Sequence, residues 1–193
     1  GGFLIKKELE ALNKVLETPA KPFVAIIGGA KVSDKIKTIE KLLVSVNNLI
    51  IGGAMAYPFL KAKGHNVGNS LCSEEDVKLA TSILRADKGN KVVLPEDHIA
   101  AQDMNGECKT INGRGIEDGW MGLDIGPSTI NRYENVLKTA KTVLWNGPMG
   151  LFENPNYAKG TMALAKCLAD SQAFTLVGGG DSVSAVQKSG HAD

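Results

Sequence analysis

The sequence predicts a doubly wound α/β domain, a mainly parallel sheet with helices on both faces, on three observations. Short apolar runs rich in β-branched residues alternate along the chain with segments of helical apolar spacing. Four of those runs stop on glycines, at Gly28-Gly29, Gly52-Gly53, Gly147 with Gly150, and Gly178-Gly179-Gly180. The chain of 193 residues, 43% of them hydrophobic, fits one large domain or two small ones with a real core.

Taken in order, residues 3–17 carry Leu4, Ile5, Leu9, Leu12 and Leu16 at helical spacing, and Thr18-Pro19 stops that amphipathic helix. Phe23 to Ile27 reads as a buried strand, Gly28-Gly29 as a tight turn, and residues 34–46 as a helix with Ile36, Ile39, Leu42, Leu43 and Val46 inward. Leu49-Ile50-Ile51 repeats the strand and Gly52-Gly53 the turn. Ala54 to Lys63 is a short helix in which Pro58 is tolerable only near the start. Gly64 to Gly68 is a loop. Ser73 caps a helix to about Arg85 with acids in its first turn, and Lys91 to Pro95 is the next strand.

From Asp97 to Gly119 short extended pieces, His98 to Ala101 and Cys108 to Ile111, alternate with Asn, Gly and Asp, which predicts a small antiparallel flap. Trp120 to Pro127 holds another short strand leading into a helix over residues 128–139. Thr142 to Trp145 is a strand, Asn156 to Asp170 a helix and Ala173 to Val177 a final strand, after which Asp181 or Ser182 caps one more helix. The expected architecture is Rossmann-like and single-domain, with ligands binding outside the carboxyl ends of the strands. Four glycine turns at corresponding positions describe a rim kept bare of side chains, suited to a ligand the size of a nucleotide.

A net charge of +1, from 22 basic and 21 acidic residues, argues against a dedicated nucleic-acid or membrane-surface binder. Cys72, Cys108 and Cys167 are odd in number and contain no Cys-x-x-Cys pair, so reduced packing thiols in a cytoplasmic chain are expected. No apolar run approaches membrane-spanning length, and the N-terminus lacks a signal peptide's order of regions. The chain begins with Gly rather than Met, and a fragment or processed chain is expected.

The stretch Gly28-Gly29-Ala30-Lys31-Val32-Ser33-Asp34-Lys35 concentrates the chemistry. Glycines allow close backbone approach to a ligand, and a helix start favours an anion. Lys31 and Lys35 lie four apart in the first turns, where the macrodipole disfavours cations, and Asp34 neutralises only part of their charge. A phosphate accounts for the pair economically; two solvated surface lysines account for it equally well locally. Neither Gly-x-x-x-x-Gly-Lys-Ser/Thr nor Gly-x-Gly-x-x-Gly occurs.

With that stretch, Gly52-Gly53-Ala54-Met55-Ala56-Tyr57, Gly119 to Pro127, Trp145 to Glu153 and Gly178 to Ser182 follow in an order that resembles the C-terminal, nucleotide-binding half of the phosphoglycerate kinase family. The likeness spans essentially the whole chain. It implies reversible phosphoryl transfer between 1,3-bisphosphoglycerate and MgADP, giving 3-phosphoglycerate and MgATP in glycolysis. By the family's pattern Lys31 would guide the phosphoryl group, Lys35 would hold phosphate oxygens, and the backbone of Gly179 and Gly180 would donate to the same charge. Asp181 would ligate Mg²⁺, with Ser182, where many members carry Thr, donating to phosphate. Asn146 would reach the phosphate chain beside Gly147 and Pro148, Ala30 would border it, and Glu153 would reach the ribose. The adenine slot would be lined by Gly53, Ala54, Gly122, Leu123 and Phe152. Ala54 departs from the glycine often found there and narrows it.

The resemblance also implies that residues 1–18 correspond to the helix joining the two halves and residues 19–193 to the nucleotide-binding domain. Phosphoglycerate would be held by an N-terminal domain that does not precede Gly1, so that this chain alone binds nucleotide without turnover; the family is usually monomeric. On the residues alone, Asp181 is a plain helix cap, Glu153 a loop acid, and Met55, Met121 and Met149 core. His65, His98 and His191 show no ligand spacing. The competing readings are a noncatalytic nucleotide-binding module, the dinucleotide-binding half of a dehydrogenase, and a purely structural α/β domain.

Overall fold

The computed structural model describes residues 17–178. Five parallel strands form the main sheet: β1 (Phe23–Ile27), β2 (Asn48–Ile51), β3 (Val92–Val93), β7 (Thr142–Asn146) and β8 (Phe174–Gly178), in the order β3-β2-β1-β7-β8. The helices between them are α1 (Val32–Leu43), α2 (Ala56–Ala62), α3 (Glu74–Ala86), α4 (Pro127–Lys138) and α5 (Lys159–Ala169).

Period-two alternation on β1 divides the core in two. Phe23, Ala25 and Ile27 pack in one cluster with Ile39 and Leu42 of α1, Phe59 and Leu60 of α2, and Ala80 and Ile83 of α3. Val24 and Ile26 pack in a second with Tyr133 and Leu137 of α4 and Leu164 and Leu168 of α5. Every residue of β1 is buried, as the unbroken apolar run requires of a central strand covered on both faces. The doubly wound sheet is therefore as expected.

The flap is larger than a hairpin. β4 (Asp97–Ala101) and β5 (Cys108–Asn112) pair antiparallel, and β6 (Met121–Ile125) adds to the other edge of β4, also antiparallel. A short strand before a helix looks locally like another member of the parallel sheet, and only its pairing with β4 decides otherwise.

Several boundaries move for identifiable reasons. The strand expected over Lys91 to Pro95 shrinks to two residues because the Asp87 carboxylate takes the Lys91 and Val92 N–H groups, both at 2.9 Å. The helix expected from Asn156 starts at Lys159. Ahead of it Pro155–Tyr157 forms a 3₁₀ turn, with the Asn154 side chain accepting from Asn156 N at 3.0 Å. Lys31 stands before α1 with extended backbone angles of φ −130° and ψ 132°, so it does not share a helical face with Lys35. The helices read over residues 3–17 and after Asp181 lie outside the described residues.

Three helix N-termini are capped from elsewhere in the fold by buried aspartates. Asp76 of α3 accepts from Val32 N and Ser33 N of α1 at 3.0 and 3.1 Å. Asp97 accepts from Ser128 N and Thr129 N of α4, and Asp124 from Gly160 N of α5. Asp76 and Asp97 supply the anion that the positive end of a helix favours, and Asp124 supplies an acceptor oxygen. The first two N–H groups of α1 are thus held by Asp76 and are not left unpaired at the helix start.

Candidate functional site

Because β1, β2, β7 and β8 run parallel, their glycine-bearing ends meet at one edge of the sheet. Gly28 N donates to Asn146 O at 2.8 Å, Gly53 N to Met149 O at 3.0 Å and Met55 N to Gly29 O at 3.0 Å. The turns press on one another: a Cβ on Gly28 would lie 2.1 Å from Pro148 O, and one on Gly53 would lie 2.6 Å from Gly29 O. Much of the rim is therefore bare so that neighbouring backbone can fill it. Gly29 differs, since a Cβ there would meet only Lys35 Cε, at 3.6 Å.

Beside this rim opens a cleft of about 430 Å³ between the sheet edge and the flap. Its walls include Ala30, Gly53, Ala54, Gly122, Leu123, Pro148, Phe152 and Glu153, each anticipated from the sequence. Lys31, Lys35, Asn146 and Gly147 are not among its lining residues. Lys35, in the first turn of α1, donates from Nζ to Asn146 Oδ1, which places an ammonium at the carboxyl end of β7 and next to Gly29, itself a wall of the cleft. Asn146 pairs in register with Gly178, the first residue of the triple glycine. Gly179, Gly180, Asp181 and Ser182 lie outside the described residues. Lys31 is exposed at the head of α1.

Sequence reasoning missed several contributors. Leu71, Met104 and Leu151 are 56%, 55% and 41% exposed and all line the cleft, giving its mouth an apolar border. Met121, read as plain core, also lines it. Tyr57 explains Gly122, where a Cβ would lie 2.2 Å from the phenol oxygen, so the glycine makes room for the ring. Burial pushes the Tyr57 phenol up, and the Asp124 charge adds to the shift. Its ring leans on buried His98, centroids 5.8 Å apart, and burial pushes that imidazole down. No short-range sequence signal marks these residues, because the flap brings them together only on folding.

Asp124 ties the cleft floor to α5. Its Oδ1 accepts from Ile125 N at 2.8 Å and Oδ2 from Gly160 N at 3.0 Å, while the adjacent Leu123 O accepts from Leu151 N at 3.0 Å. Burial pushes the carboxyl up from 3.8 to about 7, against the opposing pull of its two backbone donors. A raised folded-state value means that the folded chain holds the proton more tightly than the unfolded chain between these limits. This group's contribution is then full below pH 3.8 and lost as pH rises to about 7. Urea midpoints measured from pH 4.5 to 8 are expected to fall with pH more steeply in the wild type than in Asp124→Asn, which cannot ionise. Equal slopes would refute the assignment.

Among the described residues, no group of three or more His, Cys, Asp or Glu could hold a metal ion, and no helix is long and apolar enough to cross a membrane. Cys72 and Cys167 are partly buried, whereas Cys108, expected to pack, is exposed on the edge strand β5.

Fold and cleft together define a doubly wound α/β domain with an apolar cleft at the carboxyl edge of its sheet. The family model described as phosphoglycerate kinase matches residues 1–193, and the chain belongs to that family. It is 52% identical over 196 residues to a phosphoglycerate kinase of Anaeromyxobacter sp. (strain K), covering 100% of this chain and 50% of that protein. The structure of phosphoglycerate kinase from Coxiella burnetii superposes with a TM-score of 0.91 at 40% identity, covering 97% of this chain and 50% of that one. That of the Pyrococcus horikoshii OT3 enzyme superposes at 0.80 and 32% identity, covering 96% and 48%. The chain spans about half the length of the relatives it matches.

Proposed function

We propose that this chain is the nucleotide-holding half of a phosphoglycerate kinase, binding MgADP or MgATP in a protein that exchanges a phosphoryl group between 1,3-bisphosphoglycerate and ADP. The observation that carries this reading is the Lys35–Asn146 pair beside Gly29, which is itself a wall of the apolar cleft. The base lies between Gly53, Ala54, Gly122, Leu123 and Phe152, with the ribose toward Glu153. The phosphates pass Ala30, Gly147 and Pro148 to reach Lys35 and Asn146.

Phosphoryl transfer needs positioning and positive charge on the moving oxygens more than covalent help. In this reading Lys35 supplies that charge from a fixed place, Lys31 adds a second ammonium, and the N–H groups of Gly179 and Gly180 with the Ser182 hydroxyl complete the donor set. A bound Mg²⁺ would be held mainly by phosphates and water, with Asp181 as its protein ligand. Bound Mg²⁺ would offset charge on the phosphate oxygens. Phosphoglycerate belongs to a separate domain in this reading, residues 19–193 being the nucleotide domain of a cytoplasmic monomer.

Titration calorimetry with MgADP tests the proposal. The wild-type chain is expected to bind, and Lys35→Ala to bind about 10- to 100-fold more weakly, the loss of one charge-assisted hydrogen bond. Unchanged affinity in Lys35→Ala would overturn the assigned phosphate path.

A further inference from the structure

The first turn of α1 carries the lysine on which the proposed function depends, yet it has no cap of its own. Lys31, at the N-cap position, makes no side-chain cap hydrogen bond, and a helix start left open frays. Lys35 is the fourth residue of α1, where the partial positive charge of the helix start also disfavours an ammonium. Its placement is nevertheless definite. The Lys35 stem lies against Gly29, where a Cβ would come within 3.6 Å of Lys35 Cε, and Nζ donates to Asn146 Oδ1.

The missing cap comes from α3. Both carboxylate oxygens of Asp76 serve α1: Oδ2 accepts from Val32 N at 3.0 Å and Oδ1 from Ser33 N at 3.1 Å, from 44 and 43 residues away in sequence. α3 does not need that carboxylate for itself. Its N-cap is Ser73, whose Oγ accepts from Asp76 N at 3.1 Å, and its first turn holds two further acids, the exposed Glu74 and Glu75. Asp76 is only 4% exposed, and the two helices share one core cluster through Ile39, Leu42, Ala80 and Ile83. The carboxylate therefore closes the first turn of α1 and sets a negative charge against its positive end, which makes a lysine there tolerable.

We infer that Asp76 is a positioning residue for nucleotide binding: it fixes the first turn of α1 and thereby aims Lys35 at the phosphates. This rests on the phosphate path of the function proposed above. A charged group carried on a fixed turn gives up less freedom on meeting its ligand than one carried on a fraying turn. Loss of Asp76 is therefore felt in affinity as well as in stability.

The test is calorimetry with MgADP on the whole chain, comparing wild type, Asp76→Ala, Lys35→Ala and the double variant, each shown to be folded by circular dichroism. Asp76→Ala is expected to weaken MgADP roughly fivefold, the loss of one helix cap. In the Lys35→Ala background the same substitution should change affinity by less than about twofold, because the group it positions is gone. A cap that served the fold alone would lower the urea midpoint without changing the affinity of the folded chain, or would weaken binding equally in both backgrounds. Either result overturns the inference while the nucleotide reading stands. If Asp76→Ala does not fold, Asp76→Asn, which keeps one acceptor oxygen without the charge, carries the same comparison with a smaller expected loss. A wild type that binds no MgADP overturns both.

Discussion

Gly147→Ala is expected to destabilise the domain by more than about 4 kcal/mol, a large part of the 5–15 kcal/mol that holds a typical domain folded. Two costs add. Gly147 sits at φ +96°, where a non-glycine residue costs about 1–3 kcal/mol. A Cβ there would also lie 2.1 Å from Gly28 O and 2.5 Å from Gly28 C, backbone atoms that can yield only if the turns after β1 and β7 separate. Those turns are joined by the Gly28 N to Asn146 O hydrogen bond, and Trp145 Nε1 donates to Gly147 O at 2.7 Å, so the movement would reach the buried Trp145 ring. Gly64 provides a matched control, with φ also +96° and nothing within 4 Å of a Cβ. Gly64→Ala should therefore show only the backbone cost, about 1 kcal/mol. Urea unfolding of the two variants separates strain from collision, and equal losses would refute the collision.

Asp97→Ala should cost about 3–5 kcal/mol, the range for removing one partner of a buried charged network. Asp97 is 2% exposed, and its carboxylate accepts from Ser128 N at 2.9 Å, Thr129 N at 2.8 Å and Thr129 Oγ1 at 2.6 Å. The same Thr129 oxygen accepts from Glu96 N and Asp97 N at 2.9 and 3.0 Å, so flap and helix satisfy each other's polar groups. Truncation leaves the buried Thr129 N–H without its acceptor, at about 1–3 kcal/mol, strips the Ser128 N–H of its cap, and leaves the Thr129 hydroxyl only the Asp97 carbonyl, at 3.2 Å. Gly126 has no Cβ because one would lie 2.3 Å from Asp97 Cγ, so Gly126→Ala should also be destabilising. Unfolding free energies and amide exchange over residues 128–131 measure the effect. Wild-type protection there in Asp97→Ala would show that α4 needs no such cap.

The strongest signals in the sequence were those whose cause is local. The unbroken apolar run Phe23 to Ile27 could only be a strand covered on both faces, and Ser73, three residues before Asp76, caps α3 as its residue type requires, accepting from Asp76 N at 3.1 Å. The cleft was legible wherever its walls follow strands in sequence, as Gly53 and Ala54 follow β2 and Pro148 and Phe152 follow β7.

The amino-acid order by itself determined the alternation of strands and helices and the glycine turns, because hydrophobic period and backbone freedom are properties of neighbours along the chain. Only the tertiary structure decided that β6 joins the flap, that Asp76, Asp97 and Asp124 cap helices far from them in sequence, and that Asn69, Leu71 and Met104 border the same cleft as Gly53. A carboxylate carries no local mark of which helix it will cap. Its partner is chosen by the cost of leaving either group buried alone, and that cost arises only once the chain has closed around them.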